Sequence, residues 1–254
     1  MKLTGKVAIV TGGAGGIGGA TIQFLANEGA KVVISDINGE EAKKLEESLS
    51  KNGVSALAVK TDIGSYQQVK ELTQKALAVF GRIDILVNNA GMPSAKKEGK
   101  KINLWETSVE IWERLIDVDL NGYFYCCREI VPHMIPNGWG RIVNVSSQAA
   151  RTGGQSAGAD YTTAKAGVIG MTKSLAAEVG KYGITVNAVA PGRIDTPIIR
   201  IVPPEVNAEF VKKTPLGRLG TAEDVAGTIM FLISDAASFI TGATIDVNGG
   251  LSMY

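Results

Sequence analysis

The chain has 254 residues, of which 45% are hydrophobic, and its 26 basic and 25 acidic side chains leave a formal charge of +1. This length suits one α/β domain, and no linker rich in Pro, Ser or charge divides it, so we expect a single domain over residues 1–254. The balanced charge gives no reason to expect nucleic acid or a membrane surface as a partner.

Short β-branched runs alternate with amphipathic stretches along the whole chain. Strands are expected over 7–10, 31–35, 56–59, 83–87, 141–145, 184–189 and 244–247, and helices near 17–28, 39–52, 66–80, 108–135, 160–181 and 222–234. The first run is too short for a signal peptide or a membrane span, which predicts a cytoplasmic protein. Runs that are apolar on both faces are typical of parallel strands covered by helices on both sides. The sequence therefore predicts a single-domain, doubly wound parallel sheet (a Rossmann fold) of about seven strands.

A glycine-rich loop, Thr11 to Gly18, joins the first strand to the first helix. Its glycines fit two registers, G-x-G-x-x-G on Gly13, Gly15 and Gly18, and T-G-x-x-x-G-x-G on Gly12, Gly16 and Gly18. The backbone amides of such a loop, with the positive end of the helix, can hold a pyrophosphate. We therefore expect a dinucleotide site here.

Asp36 ends the second strand, eighteen residues after Gly18. A carboxylate at this place accepts hydrogen bonds from the adenosine ribose hydroxyls and repels a 2′-phosphate. Ile37 follows it, and no Arg or Lys lies within Gly12–Gly18, so NAD is favoured as the cofactor over NADP. The alternative is that Asp36 merely opens an Asp-Ile-Asn-Gly turn.

Tyr161 and Lys165 are four residues apart, in a stretch that is expected to be helical. Residues at i and i+4 share one helix face, so a phenol and an ammonium can point at one substrate oxygen. Free tyrosine titrates near pH ~10, and a nearby ammonium favours the phenolate form that a general base needs. The same spacing occurs at Tyr66 and Lys70, but only the first pair follows a serine at a strand end, Ser147.

With these motifs in order, the chain resembles the short-chain dehydrogenase/reductase family in its compact form, over nearly its whole length. The matching segments are Thr11-Gly12-x-x-x-Gly16-x-Gly18, Asp62, Asn88-Asn89-Ala90-Gly91, Asn121, Ser147, Tyr161-x-x-x-Lys165, Pro191-Gly192 with Thr196, and Asp246-Val247-Asn248-Gly249-Gly250. The resemblance implies reversible hydride transfer between a secondary alcohol and NAD. Family members are often homotetramers built on two long helices, here near 108–135 and 160–181.

The same resemblance implies a role for each matching residue. Tyr161 becomes the acid/base, Lys165 its partner and Ser147 the group that orients the substrate oxygen, while Asn121 holds a water through which Lys165 reaches solvent. Asp62 faces the adenine, Asn89 and Gly91 border the adenosine ribose, and Pro191 to Thr196 meets the nicotinamide amide. The cofactor set is then Gly12, Gly16, Ile17, Gly18, Asp36, Asp62, Ile63, Asn89, Gly91, Tyr161, Lys165, Pro191, Gly192, Ile194 and Thr196.

Three variable segments that follow strands, 92–107, 148–159 and 193–215, are expected to decide which substrate binds. The second contains Gln148 and Gln155, and its polar character favours a sugar, a polyol or a hydroxy acid. The lysine-rich run 96–101 is expected to be a solvated surface, with steering of an anionic substrate as the alternative.

Two other functions stay open at this point. The chain shares the motifs of 3-oxoacyl carrier-protein reductases that use NADPH, although Gly138 and Tyr182 stand where basic residues dock the carrier protein. A catalytically silent dinucleotide-binding sensor is the other alternative. A metal site is not expected, because the only histidine, His133, has no cysteine partner in sequence and Cys126 and Cys127 are adjacent in an apolar stretch.

Overall fold

A computed structural model describes residues 2–97, 100–154, 157–200 and 204–253, with only the backbone at Ile198 and Arg200. Its main sheet has seven parallel strands in the order β3-β2-β1-β4-β7-β8-β9. These strands are β1 (Val7–Thr11), β2 (Lys31–Asp36), β3 (Ala56–Lys60), β4 (Ile85–Asn88), β7 (Gly140–Val145), β8 (Ile184–Pro191) and β9 (Thr244–Val247). The predicted doubly wound parallel sheet is confirmed.

Helices connect these strands and cover both faces of the sheet. They are α1 (Gly16–Asn27), α2 (Gly39–Lys51), α3 (Tyr66–Phe80), α4 (Val109–Ile116), α5 (Gly122–Met134), α6 (Ala149–Thr152), α7 (Ala159–Val179), α8 (Pro197–Arg200), α9 (Pro204–Lys213) and α10 (Ala222–Ile233). Polar side chains fix several starts: the Asn38 side chain accepts the Glu41 N–H, and Thr221 and Asp224 form a reciprocal capping box. Each satisfies backbone N–H groups that a helix leaves without partners.

The core lies in two layers, one on each face of the sheet, because alternate residues of a strand point to opposite faces. On β1, Val7 and Ile9 join the layer that contains residues of α3, α5 and α7. Ala8 and Val10 join the layer that contains residues of α1 and α10. This two-sided burial explains why the central strands read as continuous apolar runs rather than as alternating ones.

The direction in which strands are added to the sheet reverses after β3, because β2 pairs with one edge of β1 and β4 with the other. The connections from β1 and β4 leave the sheet in opposite directions, which opens a crevice beyond their carboxyl ends. The glycine loop, Asn89 and Ser147 all follow carboxyl ends of strands at this edge. The fold therefore gathers the predicted site residues at one edge of the sheet.

The structure differs from the sequence-based expectations in two places. The helix expected over 108–135 is α4 and α5 joined by a π-helical turn, Asp117–Asn121, in which the Gly122 N–H donates to the Asp117 carbonyl. The variable segments carry short elements of their own: an antiparallel pair of strands, β5 (Lys96–Lys97) and β6 (Lys100–Lys101), and the helices α6, α8 and α9. None of the helices in the described ranges is long and apolar enough to cross a membrane. The cytoplasmic location stays a prediction.

Candidate active site

The glycine loop turns sharply because several of its positions exclude a side chain. Gly12 and Gly16 have φ of 61° and 55°, which L residues with side chains rarely adopt. A Cβ on Gly18 would lie 2.0 Å from the Gly12 carbonyl oxygen, so helix α1 begins in direct backbone contact with the turn. Next to Gly15, by contrast, nothing lies within 4 Å of an added Cβ. The loop thus exposes the N-terminus of a twelve-residue helix to open space, which fits the pyrophosphate of a dinucleotide.

The end of β4 is tied to this loop by hydrogen bonds. The Asn89 side-chain amide donates to the Thr11 carbonyl at 2.9 Å and the Gly12 carbonyl at 3.1 Å, and the Asn89 and Ala90 N–H groups donate to Thr11 Oγ1. Asn89 therefore holds two strand ends together at the crevice. Its predicted place beside the ribose stays a prediction.

Asp36 shows features of both interpretations made from sequence. One carboxylate oxygen accepts the Asn38 N–H at 2.9 Å, as in a turn, and the other accepts the Ala14 N–H of the glycine loop at 3.0 Å. An ionised carboxylate has about four acceptor sites, so both oxygens retain capacity for ribose hydroxyls. Lys60 pairs with Asp36 in the β2–β3 register, and a Cβ on Gly39 would lie 2.9 Å from the Lys60 Cβ. Lys60, the neighbour of Asp36 on the next strand, was missed because it is distant in sequence.

Asp62 contacts a cation that sequence reasoning also missed. Its carboxylate lies 2.8 Å from Nη2 of Arg114, on α4, and accepts the Gly64 N–H at 3.0 Å. Ile63 is buried and packs against Gly122, so its predicted contact with the cofactor stays a prediction. The contacts of Asp62 with adenine stay a prediction.

The segment after β8 forms the opposite side of the crevice. The Gly192 N–H donates to the Val247 carbonyl, and Ile194 is buried, so the segment is anchored at both residues. A Cβ on Gly16 would lie 3.6 Å from Thr196 Cγ2. Thr196 and the glycine loop therefore lie beside each other, as a cofactor that touches both requires.

Tyr161 and Lys165 lie in the first two turns of α7, and the helix expected there is confirmed. The half-buried Tyr161 ring has its centroid 5.8 Å from the Lys165 Nζ. The strand end that carries Ser147 abuts this helix, because Ser146 Oγ donates to the Lys165 carbonyl at 2.8 Å. Ser147 Oγ accepts the Ala149 N–H at 3.1 Å, which leaves its own proton free to donate elsewhere.

Lys165 is nearly fully buried among groups that sequence reasoning did not include. Its Nζ lies 3.1 Å from Asp119 Oδ2 and donates to Tyr123 Oη at 3.2 Å and to the Val145 carbonyl at 3.1 Å. Burial is the largest single effect on the pKa of Lys165 and lowers it. The charge of Asp119 and smaller contributions from Tyr123 and Tyr161 together outweigh burial, so the pKa of Lys165 is raised above its ordinary value. The ammonium is therefore stably charged.

The π turn brings Asp119, rather than Asn121, to the lysine. The Asn121 side-chain amide donates to Asp117 at 2.9 Å, and among the contacts of the described residues none joins it to Lys165. The water-holding role implied for Asn121 stays a prediction. No sequence signal identified Asp119, because its partner is forty-six residues away and the π turn changes which side chains share a face.

The substrate segments are tied down by side chains from distant parts of the chain. The Gln148 amide donates to Ser252 Oγ, so the side chain that was expected to contact the substrate already has a hydrogen-bond partner in the C-terminal segment. Ser94 donates to the buried Asp160 at 2.6 Å, and Asp160 also accepts the Tyr161 N–H. Gln155 lies outside the described residues.

The four lysines of β5 and β6 are all solvent-exposed. Lys101 also lines a cleft of about 220 Å³ between residues 101–104 and the start of α7, where Thr162 and Thr163 form the opposite wall. Tyr161 does not line this cleft, so it is not the reacting space. This exposure agrees with a solvated surface, and steering of an anionic substrate stays a prediction.

The chain matches known proteins over nearly its full length. The family model described as enoyl-(acyl carrier protein) reductase matches residues 12–252. A cis-4-hydroxycyclohexanecarboxylate dehydrogenase from Sinomonas cyclohexanicum is 44% identical, with 96% of each chain covered. The (2S)-[(R)-hydroxy(phenyl)methyl]succinyl-CoA dehydrogenase subunit BbsD from Thauera aromatica is 41% identical, covering 100% of this chain and 99% of that protein. A crystal structure of a 3-oxoacyl-[acyl-carrier protein] reductase with bound NAD, from Brucella melitensis, has a TM-score of 0.90 and 40% identity, covering 99% of this chain and 92% of that one.

Proposed function

Because the chain belongs to the short-chain dehydrogenase/reductase family and is an NAD(P)-dependent oxidoreductase, we propose that it interconverts a secondary alcohol and a ketone on a polar small molecule, with NAD as cofactor. The observation that carries this proposal is the position of Tyr161 beside the buried, charged Lys165, where the strand end with Ser147 abuts α7. The phenolate form of a tyrosine can accept one proton, and a nearby ammonium stabilises that form. A free hydroxyl proton can hold the substrate oxygen.

In the oxidative direction, the substrate hydroxyl loses its proton to the phenolate oxygen of Tyr161. Ser147 donates its hydroxyl proton to the same substrate oxygen, because its own oxygen already accepts the Ala149 N–H. Lys165 favours the phenolate by charge and is held in place by the Val145 carbonyl. When bound, NAD supplies the acceptor for the hydride that leaves the carbinol carbon. Reduction of a ketone reverses the path of the proton.

An absorbance assay with NAD and a panel of secondary alcohols tests this mechanism. Tyr161→Phe should lower kcat/KM by about 100-fold or more, which is what loss of a positioned acid/base costs. Tyr66→Phe is the matched control, since Tyr66 begins the second Tyr-x-x-x-Lys spacing and its hydroxyl instead donates to Glu129. Equal kcat/KM for Tyr161→Phe and Tyr66→Phe would refute the proposed mechanism.

The preference for NAD rests on Asp36, whose position at the end of β2 suits the adenosine ribose. The nearby Lys60 works in the other direction, since a cation can accommodate a 2′-phosphate. We expect the effect of the Asp36 carboxylate to exceed that of Lys60, so that kcat/KM is much higher with NAD than with NADP. Asp36→Ala should lower the ratio of kcat/KM with NAD to kcat/KM with NADP. Equal kcat/KM with both cofactors in the unmutated protein would refute the role given to Asp36, and Lys60→Ala would then test the lysine.

For the substrate, a hydroxy acid is the favoured member of the polar class. The hydroxycyclohexanecarboxylate named for one relative is a hydroxy acid. Arg193 is half-buried in the segment after β8, donates twice to Asn207 Oδ1 and lies 4.6 Å from the Phe210 ring. It has no acidic partner among the contacts of the described residues, and uncompensated burial lowers its pKa. A substrate carboxylate would supply the missing charge.

Arg193→Gln tests this assignment on two substrates measured side by side. The KM for a hydroxy acid should rise about tenfold, while the KM for an uncharged alcohol such as cyclohexanol stays within about twofold. A similar rise for both substrates would show that Arg193 only supports α9.

Reduction of 3-oxoacyl thioesters is the second candidate, because the Brucella reductase shares the fold and 40% of its residues with this chain. A screen of alcohols and ketones with both cofactors separates the candidates. Highest kcat/KM for a 3-oxoacyl thioester with NADPH would favour the reductase. Binding of NAD without turnover of any alcohol or ketone would favour a silent sensor.

We also propose that the protein is a homotetramer assembled on α4, α5 and α7. Apolar side chains on the first two helices face solvent in the single chain, with Val109 65% and Phe124 47% exposed. Burial of such residues favours association. Light scattering should give four times the monomer mass, and a monomer would remove this proposal. We also expect the apolar end of the chain, residues 251–254, to pack against a neighbouring subunit; Tyr254 lies outside the described residues.

A further inference from the structure

A buried ion pair lies beneath the proposed acid/base. Asp119 is fully buried and Lys165 is 3% exposed, and the Asp119 Oδ2 and Lys165 Nζ atoms lie 3.1 Å apart. Burying a charge is costly unless a partner of opposite sign lies close to it. The proposed mechanism needs the ammonium but does not need the carboxylate.

The chain around Asp119 is shaped to hold it in this position. Its other oxygen, Oδ1, accepts the Met92 N–H at 2.7 Å. A Cβ on Gly91 would lie 2.8 Å from Asp119 Oδ2 and 3.4 Å from Lys165 Nζ, so only glycine lets the segment after β4 pass this close. The π turn and the segment after β4 therefore fix the carboxylate from two sides.

The other charged and titratable groups near the pair either bond to other partners or stay neutral. Burial, opposed by Lys165, raises the pKa of Tyr123, so this phenol stays protonated and its oxygen lies 3.2 Å from the Val145 carbonyl. Asp160 accepts the backbone N–H of Tyr161. On the neighbouring helices, Arg114 pairs with Asp62 and Arg151 with Asp246. Asp119 is thus the acidic side chain in direct contact with the lysine among the described residues.

We propose that Asp119 is a positioning residue that holds Lys165 and offsets part of its charge, so that Tyr161 works as a base at a higher pH than it would beside an unpaired lysine. This inference rests on the proposed function. A negative charge near a group that loses a proton disfavours the loss, because it stabilises the protonated form. Removing the carboxylate while keeping the shape should therefore make the site ionise at lower pH.

The pH dependence of kcat/KM for alcohol oxidation tests the proposal. Asp119→Asn keeps the shape and an oxygen for the Met92 N–H, and the rising acid limb of its profile should move to lower pH by about one unit, as expected for one charge several ångströms away. Asp117→Asn is the matched control, since Asp117 is on the same π turn and accepts from Asn121 rather than from Lys165. Its limb should coincide with that of the unmutated enzyme. A limb that stays in place in Asp119→Asn, or moves to higher pH, overturns the proposal.

A second measurement needs no turnover, and so separates failure of this inference from failure of the proposed reaction. Urea midpoints are compared for the unmutated chain, Asp119→Asn, Lys165→Met and the double variant, which form a double-mutant cycle. Asp119→Asn should lower the midpoint strongly when Lys165 is present, because it leaves a buried ammonium without a counter-ion, and much less when Lys165 is methionine. If Asp119→Asn does not fold alone, a folded double variant supports the pairing. Equal losses in both backgrounds, or a double variant that also fails to fold, would reduce Asp119 to a packing role and overturn the proposal.

Discussion

The contact between Gly18 and Gly12 gives the sharpest test of how the fold builds its cofactor loop. A Cβ on Gly18 would lie 2.0 Å from the Gly12 carbonyl oxygen and 2.8 Å from the carbonyl carbon, and both are backbone atoms of a turn with φ of 61°. Unstrained contact needs roughly 3.5 Å, so Gly18→Ala must push helix α1 and the end of β1 apart by about 1.5 Å. A displacement of this size in a packed layer should cost about 3 kcal/mol.

Urea unfolding and a fluorescence titration with NAD measure the two consequences. A loss of about 3 kcal/mol corresponds to a fall of about 1 M in the urea midpoint at fixed protein concentration, and NAD affinity should fall with it, since the helix N-terminus has moved. Gly15→Ala is the control on the same loop, because Gly15 has an extended φ of −166° and nothing within 4 Å of an added Cβ. Its free energy of unfolding should stay within about 0.5 kcal/mol of that of the unmutated chain. Equal midpoints for the two variants would refute the argument from backbone contact.

Three further predictions concern stability and reactivity. Asp84→Asn should lower the free energy of unfolding by about 2 kcal/mol, as measured by urea denaturation. The reason is that the fully buried carboxylate accepts the Val7 N–H of β1 and two hydrogen bonds from Arg82. The hydrogen bond from Arg218 lowers the pKa of Asp224 to about 2. A carboxyl whose pKa is lower in the folded state stabilises the fold at pH values above its unfolded pKa, which is about 4. Asp224→Asn should therefore unfold more readily than the unmutated chain at neutral pH. The difference in stability between the two chains should shrink between about pH 4 and pH 2, as measured by circular dichroism in acid titrations. Burial raises the pKa of Cys127 to about 12, and Cys126 is equally buried, so both thiols should react with a thiol reagent only after denaturation; rapid labelling of the folded chain would contradict the buried α5 face.

How far sequence can predict the site depends on whether the contacts are local. The Tyr161 and Lys165 pair was accessible because four residues on a helix fix their relation. The contact between Asp119 and Lys165 was not, because it joins two helices and passes through a π turn whose extra residue leaves no mark in the hydrophobic pattern. Lys60 was missed for the same kind of reason, since only the register of β2 on β3 places it opposite Asp36.

The substrate segments show the same limit. Gln148 was expected to contact substrate because it follows a strand end, yet the C-terminal segment contacts its amide from more than a hundred residues away. Helix α9 was expected only as part of a variable segment, and its Asn207 and Phe210 are what fix Arg193. Tertiary contacts of this kind determine which polar side chains remain free to bind a ligand.

The sequence by itself determined the order and type of the strands, the glycine loop and the Tyr161 and Lys165 pair, because burial on two faces and helical spacing are written in local periodicity. Only the tertiary structure decided what surrounds the lysine ammonium: a carboxylate from one helix, a phenol from the next and a strand carbonyl. Charges act through space rather than along the chain, so the electrostatic environment of the site follows from the packing of distant segments.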